Sequence, residues 1–332
     1  MNPTSEATTE AVADWLSRHA RPVDAHDPLA DTDDLRPLAA AVAGAEIVAL
    51  GVGSRATHEL SVVQHRILRF LVEEQGFRSL VLEGDDPARL GLDAYVLTGV
   101  GDPRALLSEA RPFLRTGEIL DVLRWMRAHN ERHPHDPVQL ATPPALSATP
   151  AGGLAEIERG LADSTIRWHE RTRQKTVYWG GLAHTAVGAP RTVSSPAPQT
   201  HHNAGGYLRE HFGKGYASVA LTFHHGAGHP VPPADFAEAL LGAADLPAYF
   251  LDLRSRRPAP ADAWLDAPAK TRLVGPSYDA REDAGHHLSG GSLAQWFDAV
   301  AHVREVTPAR DIGDFVRLSG QFRRARASHA PR

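Results

Sequence analysis

The chain reads as an α/β protein with a mostly parallel central sheet, helices on both faces and a reduced helical portion. Three observations predict this. Short apolar runs end in glycine or an acid, as in "EIVALG" and "LVLEG"; segments of helical period lie between the runs; and the runs are apolar throughout, as strands buried on both faces are.

The elements follow in order. Residues 1–45 read as an N-terminal helical segment, 46–315 as the α/β domain, and 316–332, with "QFRRARASHAPR", as a basic frayed tail. "EIVAL" (46–50) is the first strand. Leu60, Val63, Ile67 and Leu71 then recur at helical spacing, with Gly76 as the stop. "RSLVLEG" (78–84) repeats the strand pattern. "ARLGLDAYVLTGVGDP" gives a helix and a turn, "GEILDVLRWMRAHNERHP" a helix closed by Pro134, and "PVQLA" a third strand. The Pro- and Ala-rich stretch 142–153 is a loop. A helix over 154–173, the apolar "KTVYWGG", and strands at 216–223 and 246–254 flanking a helix at 234–243 complete the pattern.

Composition narrows the function classes. The 332 residues are 42% hydrophobic and 23% charged with net charge -5, which leaves no electrostatic footprint for nucleic acid. No cysteine is present, so disulfides, thiolate metal sites and thiol nucleophiles are excluded. The N-terminal twenty residues lack a basic region followed by an apolar core, and no later run is long enough to span a bilayer, so a cytoplasmic protein without membrane partner is expected. The 19 histidines cluster mostly in predicted turns ("HPHD", "THHN", "FHHG", "GHH"), and neither a metal nor any other cofactor is expected. P-loop and G-x-S-x-G motifs are absent, and "GVGSRATHE" lacks the third glycine of a dinucleotide loop.

Several ordered segments resemble the erythromycin esterase family: "FLVEEQGFRSLVLEGDDPARLGLDAYVLTGVGDP", "LRTGEILDVLRWMRAHN", "GGYLREHFGKGYASVALTF", "YFLDLR" and "RLVGPSYDAREDAGHHLSGGSLAQWFDAVAHVREVTPAR". The resemblance spans about residues 46 to 310. It implies an erythromycin esterase-like fold and ring-ester hydrolysis of macrolides by water, without metal, covalent intermediate or cofactor. It also implies a first-loop motif G-E-x-T-H-G-x-x-E-F whose acid and histidine activate that water. Laid without gaps on "GVGSRATHEL", this puts Val52 on the acid and Arg55 on the histidine. A gapped register would use His58 instead, at the cost of displacing Glu59 and the helix that follows. The family's W-A-H-N-x-H strand end falls on "YWGGLAH", with Gly181 on the first histidine and His184 on the second. The strand-terminal glutamate of the family matches Glu83.

An arginine cannot be the base, because a guanidinium stays protonated and offers only donors. The catalytic set is therefore expected to be Glu83 for proton transfer, His184 as its partner and Arg55 for negative charge. His58, Glu59, Arg66, Thr116, Glu118, Trp179, His224 and His225 are expected around a small-molecule natural product. Three functions are compatible with these residues. One is a remodelled enzyme that performs cyclisation, elimination or isomerisation; the second is a non-catalytic binder; the third is a true esterase. The loops 51–59, 83–87, 142–150, 181–188 and 224–229 are expected to form the pocket, where a carboxyl-terminal sheet edge binds ligands.

Overall fold

The computed structural model describes residues 3–55, 57–142, 153–226, 228–255 and 257–312, with side chains from residue 9 onward. The tail from 313 and the loop 143–152 lie outside the described residues, and with them the frayed-tail expectation and most of one predicted pocket loop.

Strands are β1 (Arg21–Pro22), β2 (Ile47–Val52), β3 (Ser79–Leu82), β4 (Gln139–Leu140), β5 (Thr176–Gly181), β6 (Arg191–Val193), β7 (Gln199–His201), β8 (Tyr216–Gly226), β9 (Ala248–Asp252), β10 (Thr271–Arg272), β11 (His287–Ser289) and β12 (Ala299–Val306). Eight form the main sheet in the order β1-β9-β12-β8-β2-β5-β3-β4. From β12 to β4 the neighbours are parallel, while β9 pairs antiparallel with both β12 and β1. The expected mostly parallel sheet is therefore present, closed on one side by antiparallel strands.

Alternation of side chains across the pleat explains the two helical layers. Val48, Leu50 and Val52 of β2 join Leu80 and Leu82 of β3 and Trp179 of β5 in one apolar cluster, with Leu60, Val63, Ile67 and Leu71 of the helix His58–Gln75. The intervening Ile47, Ala49, Val81 and Tyr178 face the other layer, against Ala162 and Trp168 of the helix Gly153–Thr172 and Leu208 of the helix Ala204–Phe212. Val12, Trp15 and Leu16, on one stripe of the helix Pro3–His19, pack with Tyr249 and Leu251 of β9. The helix after β2 ends as its sequence predicts, on Gly76 at φ 74°, whose N–H caps Leu71 O.

Three parts of the fold differ from the sequence reading. β12 occupies an interior place in the sheet, yet "AVAHVREV" was not among the expected strands; its polar His302, Arg304 and Glu305 break the apolar run that marks the others. A second, antiparallel sheet in the order β10-β11-β6-β7 is built from strands of two or three residues, too short to show a period. The expected helix at 234–243 is confined to Ala237–Leu241.

The topology sets the position of the site. From β2 the chain runs outward to β3 and β4, returns to β5 between β2 and β3, and then builds β8 and β12 on the far side of β2. The carboxyl ends of β2, β3 and β5 therefore converge where the connections part, which is the usual crevice of an open α/β sheet.

Candidate active site

Glu83 is the first residue after β3, anchored by its N–H to Trp179 O at 3.0 Å. Its carboxylate is buried and meets four donors or cations. Arg55 Nη2 ion-pairs with Oε1, Tyr178 Oη donates to Oε2 at 2.9 Å, Gly181 N donates to Oε2 at 3.4 Å, and His184 Nε2 lies 3.5 Å from Oε1. An ionised carboxylate has about four lone-pair directions; Arg55, Tyr178 and Gly181 donate to this one, while His184 stands just beyond hydrogen-bonding reach.

The imidazole of His184 is held unequally at its two nitrogens. Nδ1 donates to Glu158 Oε1 at 2.8 Å, a charge-assisted bond of ordinary strength, whereas Nε2 faces Glu83 at a distance beyond normal hydrogen bonding. Burial alone would depress the imidazole; the carboxylates of Glu158 and Glu83 outweigh it and push its pKa up to about 9. Burial would raise Glu158, but His184 and His201 together with Ala204 N–H bring it down to about 2. Burial and the neighbouring Glu83 carboxylate hold the Tyr178 phenol far above its ordinary value, so it remains a donor. The result is a chain of alternating charge, Glu158, His184, Glu83, Arg55, across the end of β5.

Glycines make room for it. A Cβ at Gly180 would collide with Glu83 Oε2 and lie 2.5 Å from Tyr178 Cε1; one at Gly181 would sit 3.1 Å from Arg55 Nη2 and 3.3 Å from His184 Cδ2. The two-glycine strand end and Arg55 are thus one coupled arrangement. Arg55 also lies over the Phe113 ring, 4.7 Å from its centroid. Beside it is a cavity of about 10 Å³, enough for about one water. Its apolar walls are Val52, Phe113, Leu114, Ile119 and Trp179.

The three expected catalytic residues thus come together, with Trp179 and Thr116 on the adjoining cavity. Thr116 Oγ1 caps the helix Gly117–Arg132 by accepting from Ile119 N. The other expected binding residues have different surroundings. His58 Nδ1 donates to Glu118 Oε1 at 2.6 Å, and Glu118 also binds Arg310. That hydrogen bond raises the His58 pKa. Glu59 is buried and accepts from Thr307 N and Oγ1, both at 2.7 Å. Arg66, with 1% exposure, is bound to Asp34 and to the carbonyls of Asp24 and Asp31, which ties the N-terminal segment to the helix. His224 and His225, at the end of β8, contact each other at 2.9 Å, and Arg272 donates to His224 O. The residues that a sequence reading missed are Tyr178, Glu158 and His201, whose Nε2 stands 3.4 Å from Glu158 Oε1. Glu158 carried a signal, because it lies on the stripe with Ala162, Thr165 and His169, the buried face of its helix. Among the described residues no group of three or more His, Asp or Glu could hold a metal ion.

Comparison with known proteins agrees with the fold. The profile of a family described as erythromycin esterase matches residues 72–141 and 152–306. A Bacillus cereus protein superposes with TM-score 0.74 at 22% identity, over 91% of this chain and 99% of its own. A succinoglycan biosynthesis protein does so with TM-score 0.74 at 18% identity, over 93% and 99%. An erythromycin esterase EreC variant in its open conformation gives TM-score 0.63 at 12% identity, over 86% and 98%. The Bacillus subtilis (strain 168) protein YbfO, provisionally named a hydrolase, is 36% identical over 73 residues, 22% of this chain; the match spans 16% of YbfO's length. Among the described residues no helix is long and apolar enough to cross a membrane.

Proposed function

Because the chain belongs to the erythromycin esterase family, we propose that it is a cofactor-independent acid–base enzyme on that scaffold, in which His184 moves the proton and Arg55 holds negative charge. The unequal hold on the two nitrogens of His184 carries this reading: Nδ1–H is fixed on buried Glu158, and Nε2–H is the proton left to give. A buried carboxylate orienting an imidazole in this way is the arrangement of hydrolytic triads, where it selects the tautomer and stabilises the cation.

The chemistry follows from that geometry. At neutral pH the imidazole is cationic, so the first step is donation from Nε2 to a carbonyl or leaving oxygen. The neutral ring keeps its Nδ1–H on Glu158 and can then take a proton back at Nε2, which balances an isomerisation, elimination or cyclisation without any co-reactant. Arg55 stabilises the negative charge that develops on a substrate oxygen in the transition state. Glu83, expected from the sequence to transfer the proton, becomes the positioning carboxylate that sets Arg55 and His184 at their separation. Substrates of polyketide or peptide type fit the family, and Val52 and Arg55 at the first-loop positions argue against water activation there.

A binding role is the competing reading, favoured by the closed Arg55–Glu83 pair. The deciding experiment incubates the protein with a panel of lactones and β-hydroxy carbonyl compounds and follows them by liquid chromatography with mass detection. Loss of water, or unchanged mass with altered retention, is expected, and His184→Gln should reduce it by at least about 10²-fold. Gain of water as the dominant change would return the protein to the esterases. No change with any compound supports the binder.

A further inference from the structure

The cavity beside Arg55 has an unusual lining. Among the described residues around it, Arg55 is the one charged group. The polar neighbours are spent on the protein: Ser61 Oγ donates to Thr57 O at 2.9 Å, Gln64 Nε2 donates to Leu50 O at 2.9 Å, and Thr116 Oγ1 caps its helix. Arg55 is 22% exposed at its side chain, and its hydrogen bonds run to Glu83 through Nη1 and Nη2. A guanidinium carries five N–H donors, so donors remain for a second planar acceptor. On its other side Arg55 Nη2 and the His184 ring approach over Gly181, where a Cβ would lie only 3.1 Å and 3.3 Å from them, so the two side chains border one face of the same strand end.

We propose that the ligand of this site carries a carboxylate, which Arg55 takes, and an apolar body, which lodges among Val52, Phe113, Leu114, Ile119 and Trp179. This rests on the acid–base reading above and adds its substrate class: an amphipathic carboxylic acid, in contrast to a neutral ester. One guanidinium facing apolar walls suits a single planar anion; a phosphate dianion would call for further cations, and an ammonium would be repelled. The body enters by moving Phe113, which is half-buried and stacks under Arg55, since the closed cavity has room for about one water. The reacting bond then lies toward His184 Nε2, across Gly181.

The test is a calorimetric titration of the whole protein with hexanoate, hexanamide and hexylamine, which share one body and differ in head charge. Hexanoate should bind at least about 10-fold more tightly than either, the discrimination of a charge-assisted pair over a neutral one. Arg55→Met should abolish that preference and Arg55→Lys should retain part of it, each with an unchanged circular dichroism spectrum. Equal binding of the three heads, no binding of hexanoate, or a carboxylate preference that survives in folded Arg55→Met overturns the proposal. The readout needs no turnover. Carboxylate preference without any acid–base activity would defeat the functional reading alone, and His184-dependent turnover with equal binding of the three heads would defeat the substrate class alone.

Discussion

His184 Nδ1 stands 2.8 Å from Glu158 Oε1, and that pairing joins the short helix Leu182–Thr185 after β5 to the helix Gly153–Thr172. Glu158 is 1% exposed, and its second oxygen accepts from Ala204 N at 2.8 Å, so the carboxylate is held through both oxygens. Removing one partner of such a pair leaves a buried charge uncompensated. Glu158→Ala is expected to cost about 3 kcal/mol or more in denaturant unfolding, while Glu158→Gln should retain the fold and abolish the raised titration of His184.

The same pair makes stability depend on pH, with a definite sign. The folded His184 pKa lies above its ordinary 6.5, at about 9, so its contribution is full below about 6.5 and is lost as pH rises through 9. Glu158 is depressed from 4.5 to about 2, so its contribution is present above 4.5 and is lost as pH falls toward 2. Thermal midpoints measured from pH 6 to 10 should decline across the upper window, and Glu158→Gln should flatten that decline.

Gly180→Ala is a steric test of the coupled glycines. The backbone at 180 is not in the left-handed region, so strain comes only from the Cβ meeting Glu83 and Tyr178. A loss of about 1–3 kcal/mol is expected, as for other overpacked sites, along with displacement of Arg55. Gly76→Ala is the contrasting control: nothing lies within 4 Å of its Cβ, and the cost there is the roughly 1 kcal/mol of a positive φ.

Arg66→Met should separate stability from function. Its guanidinium holds Asp34 and two carbonyls of the N-terminal segment, so a loss of about 3 kcal/mol is expected, with ligand binding at Arg55 unchanged in the folded fraction. Altered hexanoate affinity without a stability loss would give Arg66 the binding role that its sequence position first implied.

How much of this was legible depends on the distance over which each residue finds its partner. Glu83, Arg55 and His184 end strands or open loops at one sheet edge, and strand-helix alternation alone brings such positions together. Glu59 and Arg66 were expected around the ligand on the strength of the family resemblance, but their partners Thr307 and Asp34 come from segments whose approach no local pattern encodes. His201 arrives on a three-residue strand of the small sheet, below the length at which periodicity speaks. Glu158 was readable in principle, since an acid on the buried stripe of a helix needs a partner, and that partner was already in view as His184.

In the proposed chemistry His184 is a cation at neutral pH with its Nδ1 proton fixed on Glu158 and its Nε2 proton free to leave. Nitrogen-15 NMR of the histidine rings, assigned with His184→Gln, measures this directly. A titration near pH 9 is expected in which Nε2 loses its proton and Nδ1 keeps its own, with that behaviour lost in Glu158→Gln. A His184 titration at or below 6.5, or deprotonation at Nδ1, would contradict it.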